Sequence, residues 1–189
     1  PGDGTPIIVP INMGDGPYTV RVMQSSSGNN YVELFSVIDN VNLSSETAPF
    51  LVPNMFVNYN ESSAVVAKAR ELAQGAANQG DVVRNIYQWV VDNITYDHDK
   101  AAQLASATGY VPDPDATLAS GTGICFDYAS LGAAMLRSLG IPCQVITGYV
   151  SPDDVHHAWN MGNIDGEWIS VEIRIKPNSW KREDFAFAA

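Results

Sequence analysis

The chain has 189 residues, of which 46% are apolar, and its formal net charge is −11, with 21 acidic and only 10 basic side chains. A chain of this length can bury one compact hydrophobic core. The acidic charge repels phosphate backbones and anionic lipid surfaces, so nucleic acid is not expected as a partner. No run approaches the roughly 20 apolar residues of a membrane-spanning helix, and we therefore expect no membrane span.

Residues 1–59 are rich in Gly, Asn and Ser, which alternate with short β-prone runs at residues 7–9, 18–23 and 31–35. Turn-forming residues separate these runs. The pattern is typical of a small antiparallel β unit. We therefore predict a β-rich N-terminal segment over residues 1–59, distinct from a domain that covers residues 60–189.

Helical patterns begin after residue 60. Polar capping residues precede an apolar run at residues 64–73, and apolar side chains recur at helical spacing over residues 82–94, with Asp81 placed to cap that helix. Residues 96–118 then form a long connection that contains one glycine and two prolines. A connection of this length in a compact domain more often has a function, or forms an edge of the fold, than serves only as a linker.

The last third of the chain combines one apolar helix with several strands. Glycines precede a predicted helix that starts at about Cys125 and stops at Gly140. Strand-forming runs follow at residues 143–150, 156–160, 169–175 and 180–187. The predicted fold class is α+β, with helices packed on an antiparallel β-sheet.

Cys125 is the candidate nucleophile because it lies at the start of a helix, behind glycines that admit a substrate. A helix N-terminus lowers the pKa of a thiol and offers N–H groups to a developing oxyanion. Cys143 lies in an apolar run and is interpreted as packing, so both cysteines are expected to be free thiols.

His157 is the candidate general base, because a neutral imidazole beside the bulky Trp159 could accept the thiol proton. The chain has three histidines, so the other candidates are His98 and His156. We interpret His156 as a surface residue.

The residues around the candidate nucleophile and base resemble the transglutaminase-like superfamily of papain-related cysteine enzymes, in particular its secreted bacterial members. The resemblance covers roughly residues 60–189. The matching motifs are Gly-Ile-Cys-Phe-Asp-Tyr-Ala at residues 123–129, the helix-to-strand passage at 136–149, and His-Ala-Trp-Asn at 157–160. It implies a transglutaminase-like or papain-like core and a triad of Cys125, His157 and a carboxylate.

In the family the carboxylate is an Asp that lies four residues beyond a Trp, and two positions satisfy this spacing. Trp168 points to Glu172, on the strand that directly follows the His157 strand, although Glu then replaces Asp. Trp180 points to Asp184, which keeps the residue type but lies further along the chain. Glu172 is favoured by the order of strands, and either carboxylate could orient the imidazole.

The resemblance implies cysteine-nucleophile acyl transfer on amide bonds through a thioester, either as a peptidase or amidase or as a protein-glutamine transglutaminase. Tyr96, in the long connection, is a candidate oxyanion donor. The alternative is a catalytically weak or inactive module that binds cell-wall or protein partners. A thiol mechanism needs no cofactor, and the acidic and histidine-containing segments match no calcium loop or zinc motif, so we expect neither a cofactor nor a metal.

The expected partner is a protein or peptide substrate, cell-wall material included, and the expected state is a monomer. The chain begins at Pro1 and not Met, which suggests a processed or trimmed start, so the sequence itself does not give a localisation. An extracellular or cell-envelope location is implied by the resemblance alone.

Overall fold

A computed structural model describes residues 6–107, 109–150 and 155–171, and the side chain of residue 155 is not among the described parts. The chain forms two compact units. One is Ile11–Pro49, and the other combines Pro1–Pro10 with Phe50–Ala189. Each unit is described by itself.

The smaller unit is a long antiparallel hairpin. Strand β1, Gly16–Ser27, pairs with strand β2, Asn30–Val41, around the predicted turn. Apolar residues face each other across the strands, including Val20 with Val37 and Val22 with Phe35. The antiparallel pairing predicted for the runs at residues 18–23 and 31–35 is therefore confirmed, and both strands extend beyond those runs.

The strand predicted at residues 7–9 is wrong. These residues belong to the larger unit and have no regular secondary structure. The carbonyl oxygen of Ile8 accepts one backbone hydrogen bond, from Met55 N at 2.8 Å. One such bond does not make a ladder, so β-branched composition alone was not sufficient evidence for a strand.

Five α-helices belong to the larger unit as described: α1 Ala64–Leu72, α2 Gln79–Asn93, α3 His98–Leu104, α4 Pro114–Ser120 and α5 Cys125–Ser138. A short 3₁₀ helix, Ala48–Phe50, lies at the boundary between the units. The predicted cap at Asp81 is wrong by three positions: Asn78 is the N-cap, and its side chain accepts the backbone N–H of Asp81. Asp81 in turn accepts the N–H of Ala77, because an acid at the third helical position reaches back to the preceding backbone.

The connection predicted at residues 96–118 is not structureless, because it contains α3 and most of α4. Two short strands bracket this region, β3 Thr95–Tyr96 and β4 Thr122–Gly123, and they pair in parallel. The N–H groups of Thr95 and Asp97 donate to the carbonyl oxygens of Gly121 and Gly123 at 2.8 and 2.9 Å. These bonds hold the end of α2 beside the residues that lead into α5.

A three-stranded antiparallel sheet follows α5. Its strands are β5 Cys143–Val150, β6 Val155–Ile164 and β7 Glu167–Val171, and β6 is central. Ile169 and Val171 are the more buried residues of β7, as the predicted alternation requires. The end of the predicted run, at residues 172–175, and the strand predicted at 180–187 lie outside the described residues.

Helix α5 lies at the centre of the core of the larger unit. Residues of α1, α2, α5 and the sheet form one cluster of buried side chains, among them Val65, Ile86, Val90, Leu131, Met135, Leu136 and Cys143, each with no exposed area. The α+β class, with helices packed on an antiparallel sheet, is confirmed. Among the described helices, none has the length and apolar character required to cross a lipid bilayer.

Candidate active site

Cys125 is the first residue of α5, as the sequence predicts, and its thiol is partly buried. The preceding residue, Ile124, has an extended backbone and donates its N–H to Asp127 Oδ2 at 2.8 Å. A Cβ atom at Gly123 would lie 2.7 Å from the Cβ of Asp127, so only glycine fits at this position. The close packing of Asp127 thus explains why residue 123 is a glycine.

Backbone N–H groups surround the sulfur atom of Cys125. Burial raises the pKa of this thiol, and hydrogen bonds from the N–H groups of Ala158, Phe126 and Cys125 itself oppose that effect. The nearby charge of Asp127 raises it further. The net pKa is raised, which corrects the prediction of a lowered one: the helix N-terminus acts as expected, but desolvation outweighs it.

Cys125 lies beside strand β6, since it lines one pocket together with Ala158, the residue that directly follows His157. His157 is half-buried, pairs with Gly148 across the sheet, and stacks its ring on Trp159 with centroids 6.2 Å apart. His156 is exposed and lies edge-on to Tyr149 at 5.4 Å, as expected for a surface residue. His98 lies on α3, with its ring 4.9 Å from that of Tyr96.

A small pocket lies against the thiol. Its walls include Cys125 and Ala129 from α5, Ala158 and Asn160 from β6, and Val171 at the described end of β7. The two candidates for the third carboxylate, Glu172 and Asp184, lie outside the described residues. Glu172 is the next residue after Val171 in the chain.

Tyr96 lies in strand β3, opposite Gly123 and close to the nucleophile. Its ring stacks on Tyr128 with centroids 6.3 Å apart and an interplanar angle of 8°. Burial raises the pKa of its hydroxyl, and the proximity of Cys125 and Asp127 raises it further. The hydroxyl therefore stays protonated at neutral pH and is able to donate a hydrogen bond.

Asp127 forms a buried polar cluster that the sequence analysis missed. Its carboxylate has no exposed area and accepts hydrogen bonds from Lys100 Nζ at 2.6 Å and from the Tyr110 hydroxyl at 2.5 Å. The ammonium group of Lys100 also lies 4.7 Å from the ring centroid of Tyr110. An acid at the third position of a helix was a readable signal for a cap. The identity of its two further partners depends on how residues 98–110 fold back, which local sequence does not show.

Cys143 is fully buried on β5, and neither cysteine forms a disulfide. Burial raises the pKa of its thiol to about 12, against smaller opposing effects from Arg137 and Asn160. The interpretation of Cys143 as packing and of both cysteines as free thiols is confirmed. Within the described ranges, no group of three or more His, Cys, Asp or Glu side chains is arranged to hold a metal ion.

A family model described as the transglutaminase-like superfamily matches residues 66–173, which is more than half of the chain and includes both Cys125 and His157. The chain belongs to the transglutaminase-like superfamily. The family match also covers the Asp127 cluster and the pocket, and it excludes the hairpin unit.

Individual relatives of this transglutaminase-like chain are distant. A UPF0252 protein of Archaeoglobus fulgidus is 25% identical over 137 residues, 66% of this chain and 43% of that protein. Kyphoscoliosis peptidase of Mus musculus is 29% identical over 112 residues, 54% of this chain and 16% of that protein. The chain spans less than half the length of the curated relatives it matches.

The fold is shared with a solved structure of a proposed cysteine protease from Cytophaga hutchinsonii. The TM-score is 0.57 and the sequence identity is 19%, over 89% of this chain and 68% of that one. At this identity the likeness concerns the fold alone. It supports the α+β fold described above.

Proposed function

We propose that the chain is a cysteine-nucleophile enzyme that transfers acyl groups from amide bonds. The observation that carries this proposal is the position of Cys125 at the start of α5, in one pocket with Ala158 and Trp159 of β6. It brings the thiol at a helix N-terminus against the residue that follows the candidate base. The transglutaminase-like superfamily includes cysteine peptidases and transglutaminases, which agrees with this chemistry.

In the proposed first step, Cys125 attacks the amide carbonyl and its proton passes to His157. Burial raises the pKa of the thiol, and the proposed role of His157 is to take its proton as the sulfur attacks. The sulfur forms a bond to the carbonyl carbon, and the carbonyl oxygen becomes an oxyanion. The N–H groups of Cys125 and Phe126 and the hydroxyl of Tyr96 are the proposed donors to that oxyanion.

In the second step, the tetrahedral intermediate collapses, the imidazolium of His157 gives its proton to the leaving amine, and a thioester remains on Cys125. Water then attacks the thioester and releases an acid, or an amine attacks and forms a new amide. We propose hydrolysis, as a peptidase or amidase, over crosslinking. Glu172 is the proposed third residue, with Asp184 as the alternative, and its role is to orient and stabilise the imidazolium.

We further propose a protein or peptide substrate, cell-wall peptides included, a monomeric state, and an extracellular or cell-envelope location. The net charge of −11 supports a partner that is not nucleic acid. The location rests on the resemblance to secreted members of the family. Cell fractionation of the source organism with an antibody against the chain tests it.

Single-cysteine variants test the proposed function. Cys143→Ala leaves Cys125 as the sole thiol, and Cys125→Ala leaves Cys143 as a matched control. We expect iodoacetamide to alkylate Cys125 at pH 7.5 at least about 10-fold faster than Cys143, measured by intact mass. His157→Gln in the Cys143→Ala background should slow alkylation and abolish release of ammonia from a glutamine peptide.

Adding a dansylated primary amine to the same peptide reaction separates the two fates of the thioester. Hydrolysis releases ammonia without incorporating the amine, whereas crosslinking incorporates it. If Cys125 is as unreactive as Cys143 and His157→Gln changes nothing, the chain is a non-catalytic binding module.

A further inference from the structure

Asn160 forms a buried hydrogen-bonding network at the wall of the pocket. Its side chain is 1% exposed. Its Nδ2 atom donates to the carbonyl oxygens of Ala129 at 2.9 Å and Gln144 at 3.1 Å, and its Oδ1 atom accepts the hydroxyl of Tyr87 at 2.7 Å. One side chain thus joins α2, α5, β5 and β6.

The network joins the two elements that carry the candidate catalytic residues. Ala129 is one helical turn after Cys125 and on the same face of α5, so both line the pocket. Asn160 lies three positions after His157 on β6. The amide is therefore a direct polar contact between the helix that carries the nucleophile and the strand that carries the base.

Gly132 provides the space for this contact. A Cβ atom at Gly132 would lie 3.0 Å from both Asn160 Oδ1 and the Tyr87 hydroxyl. Glycine in a helix interior is unfavourable, because it costs backbone entropy that alanine would not. The helix thus carries a residue that weakens it where the amide and the phenol approach its backbone most closely.

An apolar side chain could fill the position of Asn160, but it would not determine how far β6 slides along α5. Hydrogen bonds have direction, and this amide binds one carbonyl oxygen of α5 and one of β5. Attack on a carbonyl needs the thiol and the imidazole held within a fraction of an ångström of their productive positions. We propose that Asn160 is a positioning residue that aligns His157 with Cys125, an inference that rests on the proposed function.

The test uses two variants of the network and one matched control. Asn160→Leu removes all three hydrogen bonds and keeps the branching of the side chain at Cγ. Tyr87→Phe removes one bond and leaves the two from Nδ2 in place. The control, Arg137→Met, removes two hydrogen bonds between the opposite end of α5 and its neighbours, to Cys143 O at 2.9 Å and Val52 O at 2.8 Å.

We expect Asn160→Leu to lower kcat for amide hydrolysis by about 100-fold with KM within about 2-fold, since misalignment affects the chemical step more than binding. Tyr87→Phe should lower kcat by about 3-fold to 10-fold. Arg137→Met should lower Tm at least as much as Tyr87→Phe, yet keep kcat within about 2-fold of the wild type. The pH at which Cys125 alkylation is half-maximal should shift in both network variants and not in the control.

Four outcomes contradict the proposal. If the network variants keep wild-type kcat, or if Arg137→Met loses as much kcat at the same loss in Tm, Asn160 serves stability only. If Asn160→Leu does not fold, Tyr87→Phe decides, and unchanged kcat and pH dependence in that variant overturn the inference. If the wild type itself neither hydrolyses amides nor shows a reactive Cys125, the proposed function fails and this inference fails with it.

Discussion

A cysteine and a buried charged side chain lie near each end of helix α5, but their surroundings differ. At the N-terminal end, Cys125 is partly exposed, and the buried charge of Asp127 is neutralised by Lys100, whose side chain is 30% exposed. Beyond the C-terminal end, Cys143 is fully buried. The buried guanidinium of Arg137 there donates to backbone carbonyl oxygens.

This difference shows that the surroundings of each thiol, and not the residue type, determine what it can do. Both thiols have raised pKa values because both are desolvated, but only Cys125 also has N–H groups from a helix start and from β6. Those groups stabilise a developing negative charge where a substrate can reach it. At the other end, Arg137 binds the backbone carbonyl oxygens of Cys143 and Val52, which is a structural role.

The largest expected effect concerns Glu172, the proposed third catalytic residue. Glu172→Gln should lower kcat by about 100-fold or more, because the imidazolium of His157 loses its stabilising charge. Asp184→Asn, the matched control, should stay within about 2-fold of the wild type. The measurement is kcat for ammonia release from a glutamine peptide. The reverse pattern would assign the role to Asp184.

A smaller effect is expected from the ion pair at the same end. Lys100→Met leaves the buried Asp127 carboxylate without its cation, which should lower the free energy of unfolding by about 2 kcal/mol. The double variant Lys100→Met with Asp127→Asn should regain part of that loss, since no buried charge remains. Guanidinium chloride denaturation measures both.

The surface pair Arg70–Glu61 provides the control for this prediction. Its side chains are 55% and 89% exposed, so Arg70→Met should cost no more than about 0.5 kcal/mol. If Lys100→Met lowers the free energy of unfolding as little as Arg70→Met does, the Asp127 cluster does not stabilise the N-terminal end of α5.

The same ion pair should also respond to alkaline pH. Burial lowers the pKa of Lys100, but hydrogen bonds and charge from Asp127 and Tyr110 outweigh it, so the net pKa is raised. A raised folded-state pKa gives stability that is present below the unfolded value and is lost as pH rises through the folded value. The stability difference between the wild type and Lys100→Met should therefore shrink above about pH 10.5.

The smallest expected effect concerns Cys143, which lies beyond the C-terminal end of α5. Burial raises the pKa of Cys143 to about 12, whereas its ordinary value is 9.0, so the unfolded chain loses this proton first as pH rises. The resulting loss of stability should be on the order of 1 kcal/mol between about pH 8.5 and pH 10. Cys143→Ala should lose less stability than the wild type over this interval. Equal pH dependence of the two proteins would show that Cys143 can ionise in the folded state.

The local features of the fold followed from sequence patterns. The hairpin, the start of α5 at Cys125, the end of that helix before Gly140 and the strand at residues 143–150 all agree with the predictions. Each depends on neighbours in the chain: a turn, a cap, a glycine or a period of apolar residues. The strand predicted at residues 7–9 is wrong, because a strand needs a partner that its own residues do not specify.

The missed parts of the site depend on contacts between residues far apart in the chain. Lys100 and Tyr110 looked like ordinary polar residues of a connection, and Asn160 looked like the last residue of a short motif. Their importance comes from burial and from partners on other elements, such as Asp127 for the first two and Tyr87 for the third. No local periodicity encodes these pairings.

By itself, the sequence determined that this chain is α+β, that Cys125 begins a helix and that His157 lies on a strand, because capping, glycine placement and alternation act over a few residues. Only the tertiary structure decided the electrostatics of the thiol. The raised pKa of Cys125 results from desolvation, and desolvation depends on which elements pack around it. The contact between Cys125 and Ala158 also forms only when α5 packs against β6, which is why sequence predicted the residues of this site but not their environment.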